Sequence, residues 1–277
     1  MMNPSHQEKP SFKQRMRQHI LKGYAQISGE WPAIDAGDLF QPLDGQLTST
    51  PPKKRVHMTA KNALVGQTHY RELKAFINRN PSHQFFFWND HDIDAFIAKF
   101  FAGHPILNIY NKAENGIIKA DLFRLCVLYI YGGFYFDLKS QFGGSLDAID
   151  FNKNTLYLLS ENSMAELQSP ELTQQTSGHI IANWFMASLP KAAVINHILQ
   201  FIVDEFPRFD DLHQRYGFTR AVWEITGPRM LTRYFVLTKF KENPVIFAHD
   251  DADLQPRYAC KGAWTRTLIH QHYTTIR

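Results

Sequence analysis

Apolar runs alternate with polar breaks along most of the chain, and the spacing inside each run names an element. Phe12, Met16, Ile20 and Tyr24 recur every four residues and predict a basic amphipathic helix over 11–27. The Pro-, Gly- and Asp-rich stretch 28–52, closing on Pro51-Pro52, reads as a connection, and Lys53–Thr59 as a first strand. A helix over 68–79 stops at Asn80-Pro81. Phe85-Phe86-Phe87-Trp88 is uninterrupted apolar sequence, as a strand covered on both faces requires. Asn89-Asp90 caps the next helix, on which Ile93, Phe96, Ile97 and Phe100 share a face. Helices follow near 105–113 and over about 117–131, the second ended by Gly132-Gly133, and Phe134–Leu138 reads as a strand. Further on, Thr155–Leu159 and Val245–Phe247 predict strands, and 191–205 and about 227–240 predict helices. Strands alternating with helices predict an α/β sheet with helices on both faces.

Composition narrows the function classes. With 44% hydrophobic and 14% aromatic residues among 277, disorder is excluded. Thirty Lys and Arg against 26 Asp and Glu leave +4, too diffuse for a nucleic-acid partner. Two cysteines exclude a disulfide scaffold, and Cys126 within its apolar helix reads as a buried thiol. The amino terminus lacks the apolar stretch of a secretory signal, and the longest apolar run, Leu122–Phe136, is broken by Arg124 and the diglycine. The expectation is a cytoplasmic protein. Peripheral contact with the inner membrane face enters through helix 11–27, which reads either as packed on the domain or as lying on a lipid surface. Leu254–Arg277 carries four Lys/Arg and no acid, a basic tail able to meet phosphate.

Chemistry concentrates between Lys119 and Lys139. Asp121 and Arg124 lie three apart on one helix face amid Leu122, Phe123, Leu125, Val127 and Leu128. Two readings stand: a mutual ion pair, or a pair facing a cleft, where a carboxylate accepts from ligand hydroxyls and a guanidinium donates to them. Asp137 closes the strand after the diglycine, and α/β sheets bind ligands beyond the carboxyl ends of their strands. Asp121 and Asp137 are therefore expected to converge on one polyhydroxylated ligand.

This segment resembles the sugar-binding region of glycosyltransferase family 32. The family pattern K-A-D-x-x-R, Y-G-G-x-Y and D-x-D appears as Lys119-Ala120-Asp121, Arg124, Tyr131-Gly132-Gly133, Tyr135 and Asp137-Leu138-Lys139. Collinear echoes are Pro52-Lys53 with Val56-His57, Asn80-Pro81 to Trp88-Asn89-Asp90, Asn183, Thr226-Gly227-Pro228 and Gly262-Ala263-Trp264. The resemblance implies a GT-A fold, a single mixed sheet with helices on both faces, over 51–265, flanked by an N-terminal helix and connection (1–50) and the tail (266–277). It implies retaining transfer of a hexose from a UDP- or GDP-sugar to a glycan or lipid-linked glycan acceptor in surface polysaccharide synthesis. Carried over by position, Asp121, Arg124 and Tyr135 hold the donor sugar. Asp137, Lys139 and Asn183 carry the catalytic region. His57, Met58 and Thr59 frame the nucleotide, and Trp264 closes over the diphosphate. The family's metal is Mn²⁺ or Mg²⁺. Here the second acid of D-x-D is Lys139, which leaves Asp137 as the motif's one metal ligand and puts metal dependence in question. The family's Trp three positions after the first-strand His is Ala60. Relatives that glucosylate proteins, and a non-catalytic nucleotide-sugar binder, are the competing readings.

Other clusters have plainer readings. Asp90, His91, Asp92 and Asp94 read as a helix start suited to the dipole. His270 and His272 read as solvated tail residues, and Asp250-Asp251 with Asp253 as a turn. Glu161 and Glu224 are candidate acceptor-side bases that spacing does not separate, and Trp223 and Tyr234 read as core.

Overall fold

The computed structural model describes residues 12–151, 155–162, 179–237, 244–257 and 260–265. Helix α1 (Phe12–Ile27) leads into a short strand β1 (Ile34–Asp35), one helical turn α2 (Gln46–Ser49) and strand β2 (Arg55–Thr59). Strand β3 (Leu64–Val65) pairs antiparallel with β1, so the predicted connection carries structure of its own. Helix α3 (Gln67–Arg79), strand β4 (Gln84–Trp88) and helices α4 (Asp90–Phe100), α5 (Pro105–Lys112) and α6 (Gly116–Tyr131) follow, within a residue or two of their predicted bounds. Asn89 caps α4 in a capping box with Asp92, and Asn115 caps α6 through the Ile117 amide.

Strand β5 (Gly133–Asp137) starts directly off the end of α6. Gly132 and Gly133 take φ of 64° and 100°, and a Cβ on Gly133 would stand 2.5 Å from the Arg55 carbonyl oxygen. Only glycine permits both that turn and that approach.

Beyond β5 the chain continues through β6 (Gln141–Phe142), β7 (Leu156–Asn162) and β8 (His179–Ser188). Helices α7 (Ala193–Glu205), α8 (Phe209–Tyr216), α9 (Phe218–Ile225) and α10 (Pro228–Leu237) and strands β9 (Val245–Phe247) and β10 (Pro256–Arg257) complete it. The predicted 227–240 helix runs to Leu237; residues 238–243, and the tail from 266, lie outside the described residues. Strand β8 and helices α8 and α9 are elements the hydrophobic pattern did not announce.

Among the described residues six strands form one sheet in the order β4-β2-β5-β8-β7-β9. Strands β4, β2 and β5 are parallel, β8 runs antiparallel between β5 and β7, and β9 is parallel to β7. The α/β expectation of a mixed sheet covered on both faces holds. One face packs Phe86, Trp88, Tyr135 and Met186 against α4, α5, α6, α7 and α10. The other packs Val56, Met58, Phe134, Phe136 and Phe185 against Leu73 and Phe76 of α3. Each such ring removed from water contributes about 1.5–3 kcal/mol. Cys126 and Cys260 are both buried free thiols.

Candidate active site

The parallel strands β2, β4 and β5 end at one level. Register aligns Thr59 with Trp88 on one side and with Asp137 on the other. Strand β2 is flanked by β4 and β5, so the chain changes direction of progress there, where open α/β sheets receive ligands. Because β8 runs the opposite way and pairs Phe185 with Phe136, Asn183 falls just beyond the end of β5.

Asp121 and Arg124 reach this edge from α6. Arg124 Nη2 lies 3.0 Å from Asp121 Oδ1 and 3.6 Å from Asp137 Oδ1. Asn183 Nδ2 donates to Asp121 Oδ1, and Thr226 Oγ1 to Asp121 Oδ2, each at 2.9 Å. Arg124 also donates to the Asn183 carbonyl, and its guanidinium stands 5.0 Å over the Tyr135 ring. The Tyr135 hydroxyl donates to Asp137 Oδ1 at 3.0 Å. Five of the predicted site residues, Asp121, Arg124, Tyr135, Asp137 and Asn183, thus share one network. Thr226, noted in sequence only as part of a motif, completes it.

Within that network Asp121 and Arg124 form an ion pair. Asp121 and Arg124 are 3% and 5% exposed, and Tyr135 is fully buried; Asp137 alone of the charged members is partly open. Burial outweighs Arg124 and pushes the Asp121 carboxyl up to about 6. Desolvation likewise holds the Tyr135 hydroxyl far above its usual range, so it acts as a donor.

The nucleotide-framing trio separates. His57 and Met58 are wholly buried on opposite faces of the sheet. His57 Nε2 lies 3.0 Å from the Gly132 carbonyl, and Trp88 Nε1 donates to His57 Nδ1 at 3.2 Å. Burial lowers its pKa to about 3, with the Gly132 carbonyl opposing the shift and the Arg55 charge adding to it. The buried His57 and Met58 side chains pin the strand. Thr59, partly exposed at the strand end, donates to the Trp88 carbonyl.

Lys139 is half-buried in the turn after β5, where its carbonyl accepts from the Cys260 amide. The segment carrying Trp264 is thereby drawn across the motif, and the Trp264 ring meets Tyr24 of α1 edge-on at 5.6 Å. The two glutamates also separate. Glu161 ends β7 at the same edge, held by Trp184 and in the field of His249 and Lys139, with burial raising its pKa. Glu224 is caged by Arg220 and Arg229, each 3.1 Å from its Oε1, and is unavailable as a base.

A divalent cation does not fit the motif. Its donors are one carboxylate, already bonded by Tyr135 and approached by Arg124, and an ammonium group. Among the described residues no cluster of three His, Cys, Asp or Glu side chains could hold a metal. Asp92 is committed to its capping box and Asp94 to Tyr110 and Lys119. Asp251 accepts from the Asp253 and Leu254 amides, the turn expected of that acidic group. Tyr234 is core, whereas Trp223 is only half-buried, against expectation.

Residues 66–156 match the family model described as a glycosyltransferase sugar-binding region containing a DXD motif. The resemblance carried by Lys119–Lys139 is thereby borne out over that stretch. Among curated proteins, the chain is 30% identical over 97 residues to inositol phosphoceramide mannosyltransferase 3 of Schizosaccharomyces pombe. That alignment covers 35% of this chain and 26% of the relative, so the chain spans about a quarter of that protein's length. Among solved structures, the PaToxG glycosyltransferase aligns over 82% of this chain and 81% of its own, at 15% identity and a TM-score of 0.47. Among the described residues no helix is long and apolar enough to cross a membrane.

Proposed function

We propose that the chain is a retaining hexosyltransferase that takes a sugar from a UDP- or GDP-sugar and passes it to a glycan or lipid-linked glycan of surface polysaccharide, on the cytoplasmic side of the membrane. The observation that carries this reading is the Asp121–Arg124–Asp137 network at the carboxyl edge of the sheet, inside the matched region. In it Asp121 and Arg124 engage donor-sugar hydroxyls by exchanging bonds now made to Asn183 and Thr226, and Tyr135 fixes Asp137. Thr59 and the backbone beside it border the nucleotide, and Trp264 lies toward the diphosphate.

In the transfer step the bond from the anomeric carbon to the diphosphate oxygen breaks, and its electron pair leaves with the diphosphate. The acceptor hydroxyl oxygen bonds to that carbon on the same face, and its proton passes to the departing phosphate. Negative charge grows on the diphosphate and positive charge on the ring, so fixed charges lower the barrier. Lys139 supplies the cation at the phosphate as a point charge. Glu161, beside it, faces the acceptor.

Purified protein incubated with a panel of UDP- and GDP-sugars is expected to release nucleotide from one donor, equally with Mn²⁺ and with EDTA. Lys139→Met is expected to lower that rate about 100-fold, the scale of one lost electrostatic stabiliser. Turnover abolished by EDTA would overturn the role given to Lys139. Donor binding without release, with acceptors present, would make the chain a nucleotide-sugar binder.

Helix α1 supports a peripheral membrane contact. Its C-terminal end is docked, with Ala25 buried and the Lys22 ammonium 4.8 Å over the Trp31 ring. Ile20 and Ile27 are nevertheless 66% and 88% exposed, on a helix that carries Arg15, Arg17 and Lys22 and no acid. Such a stripe suits an anionic lipid surface, where each basic residue contributes about 1 kcal/mol. Co-sedimentation with phosphatidylglycerol–phosphatidylcholine vesicles at low salt, weakened by Ile20→Glu, is the expected result; protein left in the supernatant would remove this contact.

A further inference from the structure

Glu30 is a buried carboxylate outside the matched region and away from the Asp121 network, 5% exposed in the turn after α1. Its amide and that of Trp31 both donate to the Ala25 carbonyl of α1, at 2.7 and 3.2 Å. Its Oε2 accepts from the Thr68 amide at 2.8 Å. Thr68 is the second residue of α3, so the carboxylate meets the positive end of that helix.

Two glycines bring a third segment against the same oxygen. A Cβ on Gly66, the residue before α3, would stand 2.7 Å from Glu30 Oε2 and 2.5 Å from Thr265 Oγ1. A Cβ on Gly262 would stand 3.0 Å from that Oε2 and 2.9 Å from the His69 amide nitrogen. Residues 260–265 therefore lie directly on the first turn of α3, with Glu30 touching both. Cys260, Ala263 and Thr265 are buried there.

The far side of this seat is the motif itself. The Cys260 amide donates to the Lys139 carbonyl at 2.6 Å, and His69 Nε2 of α3 lies 3.0 Å from the Leu138 carbonyl. The Trp264 ring, 5.6 Å from that of Tyr24, is carried on the same short turn. One carboxylate thus joins α1, the start of α3 and the segment that crosses the Leu138–Lys139 turn. Where that segment sits decides where Trp264 stands beside the motif.

We propose that Glu30 is a positioning residue, which seats residues 260–265 on α3 and against the Leu138–Lys139 turn so that Trp264 is held for the donor. This rests on the transferase reading for the donor, and on the contacts alone for the seat.

The test measures hydrogen exchange and donor kinetics on the full chain, with exchange over 117–131 as the internal reference. In Glu30→Ala, exchange over 260–265 is expected to quicken about tenfold, the scale of one lost hydrogen bond to a charged group, while α6 stays as slow as in the parent. With the panel of UDP- and GDP-sugars, the KM of the donor that turns over is expected to rise by about the same factor at unchanged kcat, the mark of lost binding. Glu30→Gln keeps an acceptor oxygen for the Thr68 amide and is expected to restore both. Gly66→Ala keeps Glu30 but sets a Cβ against Thr265, and is expected to act as Glu30→Ala does. Unchanged exchange over 260–265 in a folded Glu30→Ala variant would overturn the seat. So would equal quickening in α6, or a fall in kcat at unchanged KM, since either marks general loss of folded protein. If exchange quickens as expected but the parent binds no nucleotide sugar, the seat stands and the transfer reading falls. If the parent turns over donor and exchange does not respond, the reverse holds.

Discussion

Arg124→Met is expected to lower the stability of the protein by about 3–5 kcal/mol, because it leaves Asp121 as a buried carboxylate without its cation. Asp121 is fully enclosed, and its pKa already stands raised with Arg124 present. The substitution also removes the donors to the Asn183 and Ala120 carbonyls. For a chain of this size the loss corresponds to about 10 °C in melting temperature. Adding Asp121→Asn removes the stranded charge and keeps an acceptor oxygen for Thr226, so the double variant is expected to recover most of that loss. Donor turnover is not expected to recover, since both proposed hydroxyl-binding groups are then gone. Equilibrium unfolding of the two single variants and the double variant measures the first part. Additive losses would show that the pair is uncoupled. A double variant that turns over donor at the normal rate would confine Asp121 and Arg124 to folding.

Acid is expected to destabilise the protein steeply, and His57 supplies the largest share. Its pKa is near 6.5 unfolded and about 3 folded. Between those values the unfolded chain binds the proton and the folded one does not, so stability is present above pH 6.5 and lost as pH falls toward 3. The full loss is about 5 kcal/mol. His83, lowered to about 4 by burial, acts with the same sign. Asp121 opposes them: raised to about 6, it favours the folded state below its unfolded pKa and loses that contribution as pH rises through 6. Denaturant midpoints measured from pH 7 to pH 4 test the balance. His57→Gln is expected to flatten the profile while lowering stability at pH 7, and Asp121→Asn to steepen it. A profile unchanged by His57→Gln would mean that the ring is protonated without unfolding.

What was legible in the sequence was local. Caps, glycine stops and apolar runs marked β2, β4, β5 and the helices between them, because each signal lies within a few residues of the element it defines. The motif from Lys119 to Lys139 was legible for the same reason: α6, the diglycine turn and β5 are contiguous. The completion of the site was reached only through the family resemblance, which named Asn183 and noted the Thr226 motif without saying what either meets. Asn183 and Thr226 meet Asp121 across 62 and 105 positions, and no spacing rule reaches that far. Strand β8 was hidden because His179–Ser188 is covered on both faces and lacks the alternation of a half-exposed strand. His57 shows the same limit of local signals. It was named by its place in the family pattern alone, and its ring answers the Gly132 carbonyl and the Trp88 indole at once. Glu161 and Glu224 looked alike until the sheet put one beside Lys139 and the helices put the other between two arginines.

The place of β8 in the sheet also sets an order of assembly. It fills the gap between β5 and β7, both of which leave the ribosome before it. Until β8 arrives, β5 lacks its second neighbour and the sheet stays in two pieces, with the slow closure that non-local pairing imposes. A nascent chain that ends before residue 179 already contains all of the matched region 66–156, yet Asp121 then has neither Asn183 nor Thr226 to bond. The recognisable motif is thus made early and becomes a site only when the sheet closes. A fragment built around that motif would inherit its sequence without its pocket.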